Sequence, residues 1–117
     1  MEALSRVEII TNYTKIEELK NSLVKFGISG MTVLQALGCG KQLGTQEFEE
    51  EQDHKEPVLL PKELVLIILP TKDVERFIKF VTEELYTGHI GDGKIFISDI
   101  SNVVRIRTGD QGINAIQ

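Results

Sequence analysis

Two apolar stripes of helical period, each set between short β-branched runs, restrict what this chain can fold into. The first stripe is Ile16, Leu19, Leu23 and Phe26, at steps of three and four, which lines one face of an α-helix. Val7, Ile9 and Ile10 precede it as a first strand, and "ISGMTVLQAL" (28–37) follows as a second, bounded by Gly30 and Gly38. The second stripe is Val74, Phe77, Ile78, Val81 and Leu85. It follows "LVLIILP" (64–70), a continuous apolar run that suits a buried strand, and it precedes "KIFISDI" (94–100), a further strand. The punctuation agrees. Thr14 and Glu17 have the spacing of a capping box, Gly27 ends the first helix, and Pro70 stops the central strand. Thr71 is placed to cap the second helix, with Asp73 in its first turn.

The order is therefore β-α-β, long loop, β-α-β. That is the split βαβ arrangement, an α+β, ferredoxin-like βαββαβ sandwich with an antiparallel sheet and both helices on one face. The other sheet face is left open. Apolar residues alternate to both sides in several strands, so self-association is expected to cover it. The 117 residues make one domain (1–117), and an apolar content of 41% supports a core without metals or disulfides. Cys39 is the only cysteine, so no internal disulfide and no cysteine-based zinc site can form within one chain. This favours a reducing cytosol. A formal charge of −5 argues against a general nucleic-acid binder. The start "MEALSRVEII" lacks the pattern of a signal peptide, and no apolar stretch reaches the roughly 18 residues of a membrane span. The expectation is a soluble, cytoplasmic protein.

The stretch between the two halves, from Gly38 to Pro57, is of another kind. It opens with "GCGKQLG" and continues as "TQEFEEEQDHKEP", where six of the ten residues from Glu47 to Glu56 are acidic. It lacks apolar periodicity and reads as a long solvated loop, of the sort that often carries function. Three glycines, Gly88, Gly91 and Gly93, crowd a second loop, "TGHIGDGKIF" (87–96), with Asp92 and Lys94 among them. Glycine leaves backbone N–H groups unshielded, and such groups can line a nest for phosphate. The loop is neither a Walker motif nor a Rossmann fingerprint, and on local grounds a tight turn with Gly88 as the helix C-cap is the simpler account. "GCGKQ" (38–42) is a second Gly-x-Gly-Lys cluster at a strand exit. In "SNVVRIRTG" (101–109) the reading is a further strand or extended edge. Arg105 and Arg107, two apart, would then project to one face. Two such guanidiniums suit a shared phosphate, although a solvated edge with acidic partners explains them more simply. The tail "DQGINAIQ" (110–117) is expected to be loosely held.

Constellations for catalysis are poor. His54 and His89 lie in loops, and no nucleophile–base pair, metal-binding helix or paired catalytic carboxylate stands out. Cys39 beside Lys41 is best explained as a small residue tolerated in a loop. The acidic run 47–56 lacks EF-hand spacing.

Taken together, "TGHIGDGKIFISDI" (87–100), "RIRTG" (105–109) and "GISGMTVLQALGCGKQLG" (27–44) resemble the signature stretches of the PII signal transduction family, over about 4–110. The resemblance implies a homotrimer that binds ATP or ADP in clefts between subunits. It implies that Gly91, Asp92, Gly93 and Lys94 surround the phosphates together with Arg105 and Arg107. Gly38, Gly40, Lys41 and Gln42 would come from the other side of the cleft, so that the two glycine clusters meet across a subunit boundary. Thr32 and Val33 would lie near the adenosine. Lys62 matches the family position that contacts 2-oxoglutarate, and Gln42 the position that ligates Mg²⁺ beside it. The segment 38–61 would be the family's T-loop, which engages a target membrane transporter or metabolic enzyme in nitrogen metabolism.

The chain departs from the family pattern in its T-loop. "TQEFEEEQDHKEPVLL" (45–60) contains neither tyrosine nor serine, so no modification site is expected there. Lys41 replaces a common arginine, Cys39 a common aromatic, and "TNYTK" (11–15) a Lys-Pro-Phe-Lys turn. These departures motivate an alternative inside the family, a specialised regulator with another small anionic effector such as bicarbonate and a carbon-metabolism or transport partner. A third reading, from a different class, is a small ferredoxin-like hydrolase of phosphate esters or acyl phosphates.

Overall fold

β1 (Leu4–Asn12) runs through the middle of a sheet and has a partner on each side. The structure, a computed structural model, describes residues 2–40, 58–89 and 92–116. Besides β1 it contains α1 (Ile16–Phe26), β2 (Thr32–Gly40), β3 (Val58–Pro70), α2 (Val74–Leu85) and β4 (Lys94–Ile100). The strand order is β2-β3-β1-β4 and every pairing is antiparallel. This is the ferredoxin-like sandwich expected from the sequence.

Alternation along the strands sorts the side chains into two layers. Val7 and Ile9 of β1 and Val65, Ile67 and Leu69 of β3 point to the helices. There they meet Leu19 and Leu23 of α1 and Phe77, Val81 and Leu85 of α2 in one aliphatic core. Ile16, Phe26 and Val74 pack against its margin, so both helical stripes face inward as their spacing predicts. Phe26 meets Phe77 edge-on, with ring centroids 5.2 Å apart, and the Arg76 guanidinium lies 4.2 Å above the Phe26 ring. The opposite face keeps apolar residues in the open, among them Leu34 and Phe96 at about half exposure.

Several local expectations are corrected. The Thr14–Glu17 capping box does not form. A 3₁₀ turn, Tyr13–Lys15, precedes α1 and puts Lys15 at the N-cap without a side-chain cap bond. Thr71 does not cap α2 either, because Thr71–Asp73 is itself a 3₁₀ turn. The Thr71 hydroxyl is instead paired with that of Ser5 at 2.8 Å. Gly88 has a positive φ of 82°, but the C-cap of α2 is Tyr86, which is extended. Gly27 does close α1 as expected. It adopts φ 106°, its N–H reaches Val24 O, and Ile28 N–H reaches Leu23 O, which is the Schellman pattern.

β3 is thirteen residues long, not the seven of its apolar run. Beyond the Asn12–Lys62 pair, where β1 ends, β2 and β3 continue alone as a two-stranded ribbon to the Gly40–Val58 pair. Residues 101–109 do not form an extended edge. Gly109 N–H closes a turn onto Arg105 O at 2.7 Å, and the φ of 75° at Gly109 permits it. Nor is the tail loosely held. Val104 bridges to Gln111, Gly112 N–H donates to Val103 O, and a 3₁₀ turn follows at Gly112–Ala115. Ile113 and Ile116 then line a hollow of about 210 Å³ with Phe26, Ile28 and Arg76.

Phe77 is fully buried at the centre of the core. Phe77→Ala is expected to cost about 3–5 kcal/mol of stability, measured by denaturant unfolding at fixed protein concentration. A cost under 1 kcal/mol would contradict this account of the core.

Candidate ligand-binding site

The residues singled out from the sequence fall into groups that the strand order separates. At the ribbon end of the sheet stand Asn12, Lys62, Gly38 and the start of β4. Lys62 lies on the open face, since its β3 neighbours Glu63 and Val65 point to the helices. Its ammonium donates to Asn12 Oδ1 at 2.8 Å, and its stem crosses Gly38. A Cβ at Gly38 would stand 2.8 Å from Lys62 Cγ, so any side chain there would push the lysine aside. Among the described residues Lys62 has no carboxylate partner. Its ammonium is held by a neutral amide.

Lys94 opens β4 opposite Ile10, on the same open face. Strand spacing puts it about 12 Å from Lys62. It is exposed and forms no ion pair among the described residues. Just before it the chain passes so close to β1 that a Cβ on Gly93 would stand 2.1 Å from Ile10 O. With φ at 104° as well, only glycine fits here.

Asp92 organises this loop. Its carboxylate accepts hydrogen bonds from the Thr87 hydroxyl, from Thr87 N–H at 2.8 Å and from Gly88 N–H at 3.0 Å. Lys15 Nζ approaches it at 3.4 Å, and Thr11 Oγ1 donates to Asp92 O at 3.3 Å. The Thr87 hydroxyl, then the Thr87 and Gly88 N–H groups and Lys15, hold its carboxyl well below the usual carboxylate range; partial burial opposes them. Asp92 was expected among the residues around the phosphates. Its carboxylate is committed to its own loop, so what it contributes there is the shape of the backbone.

The arginines stand elsewhere. Ile100, at the far end of β4, pairs with Leu4, while Lys94 pairs with Ile10. Arg105 and Arg107 follow Ile100 and so lie beyond the sheet end opposite the glycine loop, with about 20 Å of β4 between. The expectation of two guanidiniums on one face of an extended strand is corrected by the turn that carries them. Arg105 Nη1 pairs with Asp110 at 3.0 Å and Nη2 donates to Asn114 O at 3.0 Å, whereas Arg107 is exposed. Ile106 between them is 98% exposed. Thr32 and Val33 lie at mid-sheet on β2, the edge strand opposite β4. Within one copy, Gly38, Gly40 and Gly93 stand at one end of the sheet, and the arginine turn is remote from them. Gly40 ends β2, opposite Val58. Lys41, Gln42, Gly91, His54 and the acidic run lie outside the described residues. Cys39 is exposed on β2, and His89 is exposed beside Thr87.

Asn12, Lys15 and Thr87 escaped the sequence reading. The only hint, and for Asn12 alone, is the polar cluster "TNYT" (11–14), which reads as mere punctuation.

A family model described as nitrogen regulatory protein P-II matches residues 4–110. The chain belongs to the P-II family. It is similar to nitrogen regulatory protein P-II 1 of Methanothermobacter thermautotrophicus, at 40% identity over 116 residues, 99% of this chain and all of that one. The P-II protein of Cyanidium caldarium is 38% identical over 96% of this chain and 98% of its own. Among solved structures, the GlnK–ATP complex of B. subtilis superposes with a TM-score of 0.78 at 32% identity, covering 97% of both chains. Arabidopsis thaliana P-II bound to citrate gives 0.76 at 32%, covering 97% of this chain and 92% of that one. P-II proteins are regulatory signal transducers, not enzymes. Among the described residues no helix is long and apolar enough to cross a membrane.

Two outcomes follow from the loop geometry. Gly93→Ala should destabilise the protein by about 1–3 kcal/mol through backbone strain, seen in thermal melts; a neutral substitution would contradict the close approach to Ile10. The depressed carboxyl of Asp92 stabilises the fold above the ordinary aspartate value, about pH 4, and that contribution fades as the pH falls below it. The Tm advantage of the wild type over Asp92→Asn should therefore shrink from pH 6 to pH 3. A gap that widens on acidification would contradict the assignment.

Proposed function

We propose that this chain is a P-II signal protein that forms a homotrimer and binds ATP and ADP in clefts between neighbouring copies. One copy would offer Gly38, Gly40, Lys41, Gly91, Gly93 and Lys94, and the next Arg105 and Arg107, with Thr32 and Val33 near the adenosine. One observation carries this reading: the motif residues stand at opposite ends of one sheet, so a contact between copies is the simplest way to unite them. The half-exposed apolar residues of the open face supply a surface for that contact. Support for the nucleotide comes from the likeness to a GlnK chain in complex with ATP.

Lys62, without a carboxylate partner among the described residues, would take the carboxylate of a small effector, 2-oxoglutarate in the first reading. Gln42 would offer its amide oxygen to Mg²⁺ between effector and phosphates, a hard donor suited to that ion. Nucleotide and effector would bias the T-loop (38–61) between states in proportion to their differential affinity for them. The loop would in turn bind or release a transporter or an enzyme of nitrogen metabolism in the cytoplasm. The Lys62–Asn12 bond favours a second reading, because an ammonium already held on one side leaves room for a smaller anion such as bicarbonate.

Sedimentation should give three times the chain mass of 13.1 kDa. In calorimetry Lys94→Ala and Arg105→Ala should each weaken ATP binding roughly tenfold or more, as expected for a charge-assisted bond. Unchanged affinity in both variants would refute the site. Titrating 2-oxoglutarate and bicarbonate into the Mg-ATP form separates the two effector readings.

A further inference from the structure

We infer that Lys15 is the positioning residue of the glycine loop and the counter-charge that lets an anion approach it. The inference rests on the reading of that loop as a phosphate cradle. Lys15 ends the 3₁₀ turn ahead of α1, yet its ammonium crosses to the far end of the other helix. It donates to Leu85 O at 3.0 Å and to Asp92 Oδ1 at 3.4 Å, and its side chain is only 16% exposed. Both acceptors need it. The last turn of α2 contains no basic residue, although a helix C-terminus exposes unpaired carbonyls and a partial negative charge. Lys15 supplies the missing cation from a position 70 residues away in the chain.

Asp92 presents the larger problem. Its carboxylate stands two residues from Lys94, where a phosphate would have to approach. Its other partners, the Thr87 hydroxyl and N–H and the Gly88 N–H, are neutral donors. They shape the loop without cancelling its charge. Among the described residues Lys15 is the one cation in contact with Asp92. Removing it would leave a negative charge beside the cradle and release the clamp that joins α2, the loop and the end of β1. Lys15 is not itself a phosphate ligand. Thr11, which donates to the same loop, is buried on the helix side of the sheet, so Lys15 acts from behind the loop, whereas Lys62 and Lys94 stand on the open face.

A counter-charge and a mere structural prop predict different losses. Restored repulsion grows with the charge of the ligand, so Lys15→Met should weaken ATP most, ADP less and AMP least. A prop would weaken all three alike. The test is calorimetric titration of the three nucleotides into the wild type, Lys15→Met, Lys15→Arg, Lys15→Met/Asp92→Asn and Lys94→Ala. For ATP, Lys15→Met should lose roughly tenfold, the size of one charge-assisted bond. Lys15→Arg should stay within about threefold of wild type, and adding Asp92→Asn should restore most of the loss. If Lys15→Met fails to fold by circular dichroism, Lys15→Gln carries the same expectation, since it keeps a donor and drops the charge. Wild-type affinity in Lys15→Met, or equal losses for the three nucleotides with no recovery in the double variant, overturns the inference while the cradle stands. A wild type that takes up no nucleotide, or a Lys94→Ala variant that binds as well as wild type, overturns the cradle and the inference with it.

Discussion

The double pairing of β1 governs how the two ends of the sheet are furnished. Its bonds to β3 put Asn12 opposite Lys62, and its bonds to β4 put Ile10 opposite Lys94 and Leu4 opposite Ile100. Register in a sheet with one buried face is strongly specified, because a one-residue slip would turn Val7 and Ile9 out of the core. The separation of the glycine loop from the arginine turn is therefore a consequence of core packing. One subunit presents the glycine loop and Lys94 at one end and two guanidiniums at the other. On the proposed reading each subunit carries half of a site twice over, and a head-to-tail contact that closes into a ring would turn the halves into whole sites.

The glycine-loop end of the sheet is built by exclusion and by the sorting of charge. The loop can lie against the Ile10 carbonyl only because Gly93 lacks a side chain, and Lys62 can cross β2 only because Gly38 lacks one. Around these two gaps the charges are sorted. Asp92 and Lys15 are satisfied against each other and their own backbone neighbours on the helix side. Lys62 and Lys94 have no carboxylate partner among the described residues. Among the described residues, that end of the open face therefore carries two cations without a counter-charge, on a chain whose net charge is −5. On the proposed reading the same sorting would give a route from ligand to loop, since Lys62 stands at the base of the β2–β3 ribbon.

How much of this was legible in the sequence varies with the range of the interactions. The two helices and the core strands were, because Leu19, Leu23, Phe77 and Val81 repeat with the period of the surface they bury. The ends of elements were not. Thr14 and Thr71 have the spacing of caps, but each falls within a 3₁₀ turn, and the hydroxyl of Thr71 is taken by Ser5. The arginine pair was misread because a closing turn depends on Gly109 at positive φ, which local alternation cannot reveal. Of the candidate site, the glycines and lysines were visible as motifs. Asn12, Lys15 and Thr87 were not, because their roles depend on partners 5 to 77 positions away.

The central claim is that each site is completed by two copies of the chain. Mixed oligomers test it most directly. Lys94→Ala carries a damaged cradle and intact arginines, and Arg105→Ala/Arg107→Ala the reverse. Each variant alone should bind ATP poorly. Unfolded together in equal amounts and refolded, they should regain tight binding in about a quarter of the clefts, the fraction in which an intact cradle meets intact arginines in a head-to-tail ring. Mixed oligomers that bind no more ATP than their parents would contradict the shared site.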